Sequence, residues 1–484
     1  MERPVEPTKE QCYQQRIAEL ESENAELRRQ NAELVQQVAA LTKQVTALTE
    51  QVARLSKNSS NSSKPPSSDI VKPPKPNLPT GPRKQGGQPG HKGDHRPPFR
   101  PDQIDDTEHL HAVECPHCHN GNLEPTGQSK IQQVAELREV PLAITEYLLH
   151  QSCCRACGRT VWADPPPGVG EGQLFGPRLQ SLIAYMKGTL HASYSGLAGF
   201  CRDVLDIRVA RSHLCNTIRR VNDALAKPYE ELSEQVSAEP VLNIDESGWK
   251  DKGVKYWIWV FSSATISFFH IAQSRGSKVL KEVLGETFGG TIVSDFFSAY
   301  IKYANRLQQF CLAHLIRDIK FLTTLPGEVD KRFGQRLLIE FKRLFHLWHL
   351  REKIPRDRFD RIMFRIRDRM LALAKVRADD GEPSKSRTLA RRFVKHGKPI
   401  FRFLLDWSVS PTNNAAEQCV RTAVIDRRIT QGSRSKMGRE WNARIWTVLD
   451  TCRKQGRPAW QFLQDALSAH HYQTPAPSLL PQTS

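Results

Sequence analysis

The sequence predicts a multidomain protein whose largest part is an α/β domain. That domain has a mostly mixed sheet, is interrupted by an all-helical insertion, and follows an N-terminal coiled coil and a small cysteine-bearing domain. Three observations predict this. Leucines recur every seventh residue from Leu20 to Leu55. Four short β-branched and aromatic runs lie between Pro240 and Asp295, bounded by Gly, Ser and Asp, which are strand signals. From Gly327 to Trp407 apolar residues recur at three and four, the spacing of one helix face.

The totals narrow the function class. The 484 residues suffice for several domains, and a formal net charge of +18 with a pI of about 9.5 points to a polyanionic partner, nucleic acid before membrane. No run approaches the ~18 apolar residues of a membrane span. The stretch MERPVEPTKEQC lacks the apolar core of a signal peptide, so the expected location is the cytoplasm, with the nucleoid. Eleven cysteines in such a chain favour metal binding or buried thiols over a disulfide framework.

Residues 10–57 read as a leucine zipper. Leu20, Leu27, Leu34, Leu41, Leu48 and Leu55 form the d series, and Ile17, Asn24, Asn31, Val38, Val45 and Val52 the a series. Leu at d with partly β-branched a positions favours two strands, and a buried Asn at a fixes a parallel register. A homodimer is expected. Residues 58–105, rich in Pro, Ser, Gly and basic residues, read as a disordered linker.

Residues 106–165 carry two C-x2-C pairs, Cys115 with Cys118 and Cys154 with Cys157. Four thiolates from two tight turns suit a tetrahedral structural Zn²⁺. Strand-like segments in 131–149 would join them as a zinc ribbon-like domain. Cys153 stands as an alternative to Cys154, and His117 or His119 as competitors. Residues 170–235 are helical. Ser193–Leu205 and Val209–Asn222 flank a turn at Asp206 and Ile207, and the second carries Arg211, His213, Arg219 and Arg220. Two readings stand: a DNA-binding helix-turn-helix, or a helical subdomain packed on the sheet.

Residues 238–326 form the first part of the α/β core. One strand, Val241 to Ile244, delivers Asp245, and another, Thr291 to Val293, delivers Asp295. A hairpin and a helix from Ser277 to Leu284 separate them. If the two strands are parallel neighbours, the carboxylates converge, and close carboxylates favour a divalent cation such as Mg²⁺ or Mn²⁺. A fifth strand then leads through Cys311 and His314 into a helix. His314 reads either as an active-site neighbour or as a core histidine. The insertion, 327–407, holds 22 Lys or Arg and 11 Asp or Glu, a surplus of 22 − 11 = 11 of the chain's +18, which suits salt-dependent contact with phosphates. Residues 408–472 return with PTNNAAEQCVR, where Thr412 or Asn413 can cap a helix carrying Glu417 in its second turn. A C-terminal helix follows, and 473–484 reads as a disordered tail.

Asp245, Asp295 and Glu417, the NNAAE helix, the string KNSSNSSKPPSSD and GGQPGHKG together resemble the DDE transposases of the insertion sequence 66 family. The separations are 295 − 245 = 50 and 417 − 295 = 122. The resemblance implies an RNase H-like catalytic domain with an inserted helical segment. It implies Asp245, Asp295 and Glu417 as ligands of two divalent cations, roughly 3.5–4 Å apart. It further implies cleavage and strand transfer at double-stranded transposon ends and target DNA. The cysteine pairs would be the family's zinc-binding domain, and small accessory proteins would be neighbours. Asn413, Asn414 and Arg421 become candidates for DNA or phosphate contact. Gln418 departs from the Arg common in the family after the Glu. Glu246 and Glu440 compete for the third acid, but Glu246 should face the opposite side of its strand. The rivals are a catalytically silent zipper and zinc-knuckle DNA-binding regulator, and a nuclease of the same fold that cuts without joining.

Overall fold

The computed structural model describes residues 9–57, 98–109, 119, 131–135, 141–153, 155–157, 160–166, 169, 173–303 and 307–481. The chain divides into two compact units. One holds Met1–Pro73, Asp164–Gly199 and Arg208–Ser484, the other Pro74–Ala163 and Phe200–Ile207.

Helix α1 runs unbroken over Lys9–Leu55. Its d-series leucines are exposed, Leu34 at 55% and Leu48 at 61%, so in the single chain the heptad seam faces solvent. Near its C-terminus Ala53 joins the helical core described below, and Lys57 lies 4.1 Å from the centre of the Phe321 ring.

In the smaller unit the described strands are β1, Gln151–Cys153, and β2, Thr160–Trp162, paired antiparallel. The strand-like segments expected in 131–149 are corrected: residues 131–135 and 141–149 form no strand. Most of their apolar side chains, Ile131 and Ile144 among them, are exposed, and no neighbouring strand among the described residues completes a ladder with them. Cys157 is an exposed thiol on the turn between β1 and β2, whereas Cys115, Cys118 and Cys154 lie outside the described residues, as does the 58–97 part of the linker.

In the larger unit α2, Pro177–Thr189, precedes the sheet, followed by α3, Tyr194–Leu205, of which Tyr194–Gly199 belongs to this unit and Phe200–Leu205 to the smaller one, then α4, Arg211–Ala224, and α5, Ala226–Gln235. The turn after α3 lacks a glycine, and Asp206 adopts the left-handed backbone there with φ of 52°. Helix α4 buries Leu214, Ile218 and Val221 and leaves Arg211 and Arg219 exposed. His213 turns inward, edge-on to Phe175 at 4.9 Å.

The central sheet has five strands in the order β5-β4-β3-β6-β7. They are β3, Val241–Asp251, β4, Val254–Ser262, β5, Ser267–Ala272, β6, Thr291–Ser294, and β7, Gln308–Phe310. The first three pair antiparallel, while β6 and β7 add in parallel beside β3. Strand β3 does not end at Asp245 as expected. Its β4 partner carries it on to Asp251, where Lys252 and Gly253, with φ of 49° and 83°, make the two-residue turn a tight hairpin requires. Helix α6, Ser277–Leu284, has the expected bounds, and α7, Ser298–Tyr303, follows β6.

From β7 the chain enters α8, Leu312–Leu322, and the insertion, α9, Glu328–His349, α10, Arg356–Asp379, and α11, Lys385–Ile400. Leu337, Phe341, Leu344, Met363, Ile366, Met370 and Phe393 form its core. Buried Gln309 clamps the insertion to the sheet: its amide donates to the Ile400 carbonyl at 3.0 Å and its oxygen accepts from the Phe403 N–H at 2.9 Å. Helix α12, Asn414–Thr430, then packs across β3 and β4, and α13, Lys436–Lys454, against β5. Trp249 and Trp446 meet edge-to-face at 5.6 Å, a pairing that adds about 0.5–1.5 kcal/mol beyond burial. Helix α14, Ala459–Tyr472, closes the unit. The expected disordered tail is corrected up to residue 481. Leu479 is buried, its carbonyl accepts from Gln455 at 2.8 Å, and Ser478 donates to Glu231 at 2.8 Å.

Candidate active site

Register brings the two aspartates together. Strand β3 pairs with β6 as Val241 with Thr291, Leu242 with Ile292 and Asn243 with Val293, an offset of 291 − 241 = 50. The separation of Asp245 and Asp295 is also 295 − 245 = 50. Extended two residues further, the same register sets the two carboxylates level on neighbouring strands. The ladder stops just before them, so both stand where the strands begin to diverge.

Side chains alternate across a strand, and the contacts of β3 fix which face is which. Asn243 meets Asn413, Ser247 accepts from Arg427 at 3.2 Å, and Trp249 meets Trp446 edge-to-face, so the odd positions face α12 and α13. Asp245 belongs to that set. Glu246 lies on the opposite face with its side chain 2% exposed, where Arg275 donates to it at 2.8 Å and Tyr300 also donates a hydrogen bond. Burial raises the Glu246 pKa, a rise opposed by the Tyr300 hydrogen bond.

Glu417 comes from α12, 417 − 295 = 122 positions after Asp295, and lies in the first turn of the helix rather than the second. Its carbonyl-bonded N–H, donated to Asn413 at 3.1 Å, starts the helical ladder. Asn413 occupies the cap position but its side chain does not cap. It donates instead to the Ile244 carbonyl at 2.8 Å and accepts from Asn243 at 3.0 Å. Its backbone N–H donates to the Cys311 thiol at 3.2 Å, and the Leu312 N–H donates to the Pro411 carbonyl at 2.9 Å. The start of α12 is thereby fastened to β3 one residue before Asp245 and to the start of α8. Asn413 is 1% exposed, so the expectation of a DNA or phosphate contact there is corrected: its polar atoms are spent inside the protein. Asn414 and Arg421 are exposed, and Arg421 follows Glu417 by four residues, on the same helix face.

The electrostatics agree with this convergence. Burial, then the charges of Glu246, Asp295 and Glu417, hold the Asp245 carboxyl well above the usual carboxylate range. Each aspartate uses one oxygen locally, Asp245 accepting from the Glu246 N–H at 3.0 Å and Asp295 from the Phe297 N–H at 2.8 Å. His314 reaches the cluster from α8. Its Nδ1 lies 3.5 Å from Glu417 Oε1, and an Arg317 nitrogen lies 4.0 Å from Glu417 Oε2. Burial pushes the His314 pKa down, against the pull of Glu417.

Sequence reasoning missed the tether. Its signal was Asn243, a polar residue inside an apolar strand run, which demands a buried partner. It also missed Cys311 as the acceptor holding Asn413.

The profile described as Transposase IS66 family matches residues 172–440, more than half of the chain. Residues 5–97 match a family of unknown function, DUF6444. An uncharacterized protein of Sinorhizobium fredii, y4hP, is 24% identical over 433 residues, covering 79% of this chain and 76% of its own. Neither the N-terminal match nor that relative carries a described activity, whereas the long match spans the whole sheet, the insertion and α12. The chain belongs to the IS66 family of transposases.

Proposed function

We propose that this protein is a transposase that cleaves DNA at the ends of its insertion sequence and joins them to target DNA, using Asp245, Asp295 and Glu417 in an RNase H-like domain. The observation that carries the reading is the shared offset of 50 between the β3–β6 register and the two aspartates, with Glu417 pinned beside them through Asn413.

The residues fit a divalent cation. Three carboxylates converge, no lysine or arginine among the described residues acts on Asp245, and mutual repulsion favours a cation among them. An all-oxygen set suits Mg²⁺ or Mn²⁺. Cations held there supply positive charge to the phosphate oxygens and acidify the attacking water or 3′-hydroxyl. The protein's own share is positioning. Asn413 fixes the height of Glu417 on β3, and Arg317 turns its second oxygen. Arg275 and Tyr300 keep Glu246 on the opposite face. Arg421 and Asn414, exposed on α12, would meet the DNA backbone, and the basic insertion would extend that contact.

The N-terminal third completes the reading. The exposed heptad seam of α1 would pair two copies. Cys115, Cys118, Cys154 and Cys157 would hold a structural Zn²⁺. The protein would work on nucleoid DNA, with small accessory proteins of the element as further partners.

The test is a cleavage and joining assay on a labelled duplex carrying the element's own end, with Mg²⁺ or Mn²⁺. Asp245→Asn, Asp295→Asn and Glu417→Gln should each lose both products while binding the end. Cleavage without joining by the wild type would make it a nuclease of this fold. Full activity in any one variant would remove that residue from the site.

A further inference from the structure

We propose that Cys311, His314 and Glu417 form a second metal site, built for Zn²⁺ rather than Mg²⁺. Cys311 occupies the N-cap position of α8 and His314 follows three residues later, so both face the same way, toward the start of α12. Their ligand atoms and that of Glu417 all lie within 4.8 Å of one another. His314 Nδ1 and Glu417 Oε1 are 3.5 Å apart, both are buried, and neither has a hydrogen-bond partner among the described residues. Two donors on one tetrahedral Zn²⁺ sit roughly 3.4–3.6 Å apart at ordinary bond lengths. The imidazole and carboxylate already stand at that separation, and the thiol closes the set by a shift of about 1 Å.

The chemistry of the set selects the ion. A thiolate, an imidazole and a carboxylate suit Zn²⁺, whereas Mg²⁺ takes oxygen. The thiolate and carboxylate together balance the two charges of Zn²⁺, and binding releases the one thiol proton. The Asn413 N–H already donated to Cys311 Sγ is the outer contact that orients a ligating sulfur. Arg317 faces Glu417 Oε2, which leaves Oε1 to the site. The fourth position remains for water.

The site stands apart from the cleavage reading, but its consequence rests on that reading. Glu417 serves either the oxygen set with Asp245 and Asp295 or the sulfur–nitrogen set with Cys311 and His314. Zn²⁺ would therefore hold the enzyme off by taking its third acid.

The experiment measures zinc per chain on the full-length protein, reconstituted with Zn²⁺ and desalted, and follows Co²⁺ titrations by absorption. Cys311→Ala and His314→Gln should each carry one equivalent less than the wild type, while Cys452→Ala and Asp245→Asn keep it. The wild-type minus Cys311→Ser cobalt spectrum should contain a thiolate-to-cobalt charge-transfer band. Circular dichroism checks folding, and where Cys311→Ala misfolds, His314→Gln decides. Equal zinc in all variants with no difference band would overturn the site. Unchanged cleavage by Asp245→Asn would instead sink the catalytic reading and leave the zinc count to decide this one. In the cleavage assay, Zn²⁺ inhibition relieved by Cys311→Ala is the expected result, and inhibition of equal depth in that variant counts against the site.

Discussion

The Asn413→Ala substitution tests the argument on which the third acid's position depends. The side chain makes two buried hydrogen bonds, to the Ile244 carbonyl at 2.8 Å and from the Asn243 amide at 3.0 Å. Each contributes about 1 kcal/mol net, and the Ile244 carbonyl left buried without that donor costs roughly 1 kcal/mol more, while the Asn243 amide keeps its longer bond to the Thr412 carbonyl at 3.5 Å. The sum is roughly 3 kcal/mol. The backbone bond to Cys311 survives the change, so this is the cost of the side chain alone. Urea unfolding of the full chain, followed through the buried Trp249, Trp259 and Trp446, should show a midpoint lower by about 1 M or more for a slope of 1–3 kcal/mol per M. Asn243→Ala should couple to it: in a double-mutant cycle the two should fall short of additivity by roughly 1 kcal/mol. Cleavage should fall on the order of 10- to 100-fold, because a small misplacement of a positioned group is costly. A stability loss under about 0.5 kcal/mol, or additive single variants, would refute the tether and with it the account of how Glu417 is held.

Further outcomes follow from the same geometry. Asp245→Asn should stabilise the metal-free protein at neutral pH and abolish its stabilisation by Mg²⁺. The Asp245 carboxyl titrates higher in the folded than in the unfolded chain, so its favourable contribution is present below the ordinary carboxylate range and lost as pH rises through the raised value. Thermal melts across that window should slope downward in the wild type more than in the variant, and parallel melts would contradict the assignment. Gly432→Ala should destabilise by roughly 2 kcal/mol or more, since φ is +110° and a Cβ would stand 2.2 Å from the Lys250 carbonyl oxygen. A variant as stable as the wild type in urea would show that the loop after α12 is not fixed to β3. Leu34→Lys with Leu41→Lys, both exposed on α1, should convert a dimer to a monomer in sedimentation while the sheet stays folded. An unchanged mass would locate self-association elsewhere.

The sequence carries the strands of the core more clearly than their ends. Each strand core is an apolar run, and apolar runs are visible without a partner. The extent of β3 is set by β4, which pairs with it to Asp251, and no local pattern in ESGWKD announces that partner. The same dependence explains the described residues 131–135 and 141–149, which form no strand, and the C-terminus, where Leu479 is buried through contacts made far from its own neighbours. Asn413 was misread for a related reason. A polar residue before a helix ordinarily caps it, and only the approach of β3 turns its amide to Ile244.

The two acidic separations differ in what they encode. The first is a register: 50 residues of hairpin and helix return the chain to the neighbouring parallel strand at the same height, so the number itself carries the geometry. Lengthening that segment by one residue would either flip Asp295 to the other face or bulge the strand. The second, 122, encodes no register, because an independently packed helical core fills it and hands the chain back at Phe403 and Pro411. The position of Glu417 is therefore set locally, by Asn413, Cys311 and the Pro411 carbonyl, whatever the length of the insertion. A change in length between α9 and α11 that preserved their packing would move none of the three carboxylates. A change of one residue between Asp245 and Asp295 would separate them.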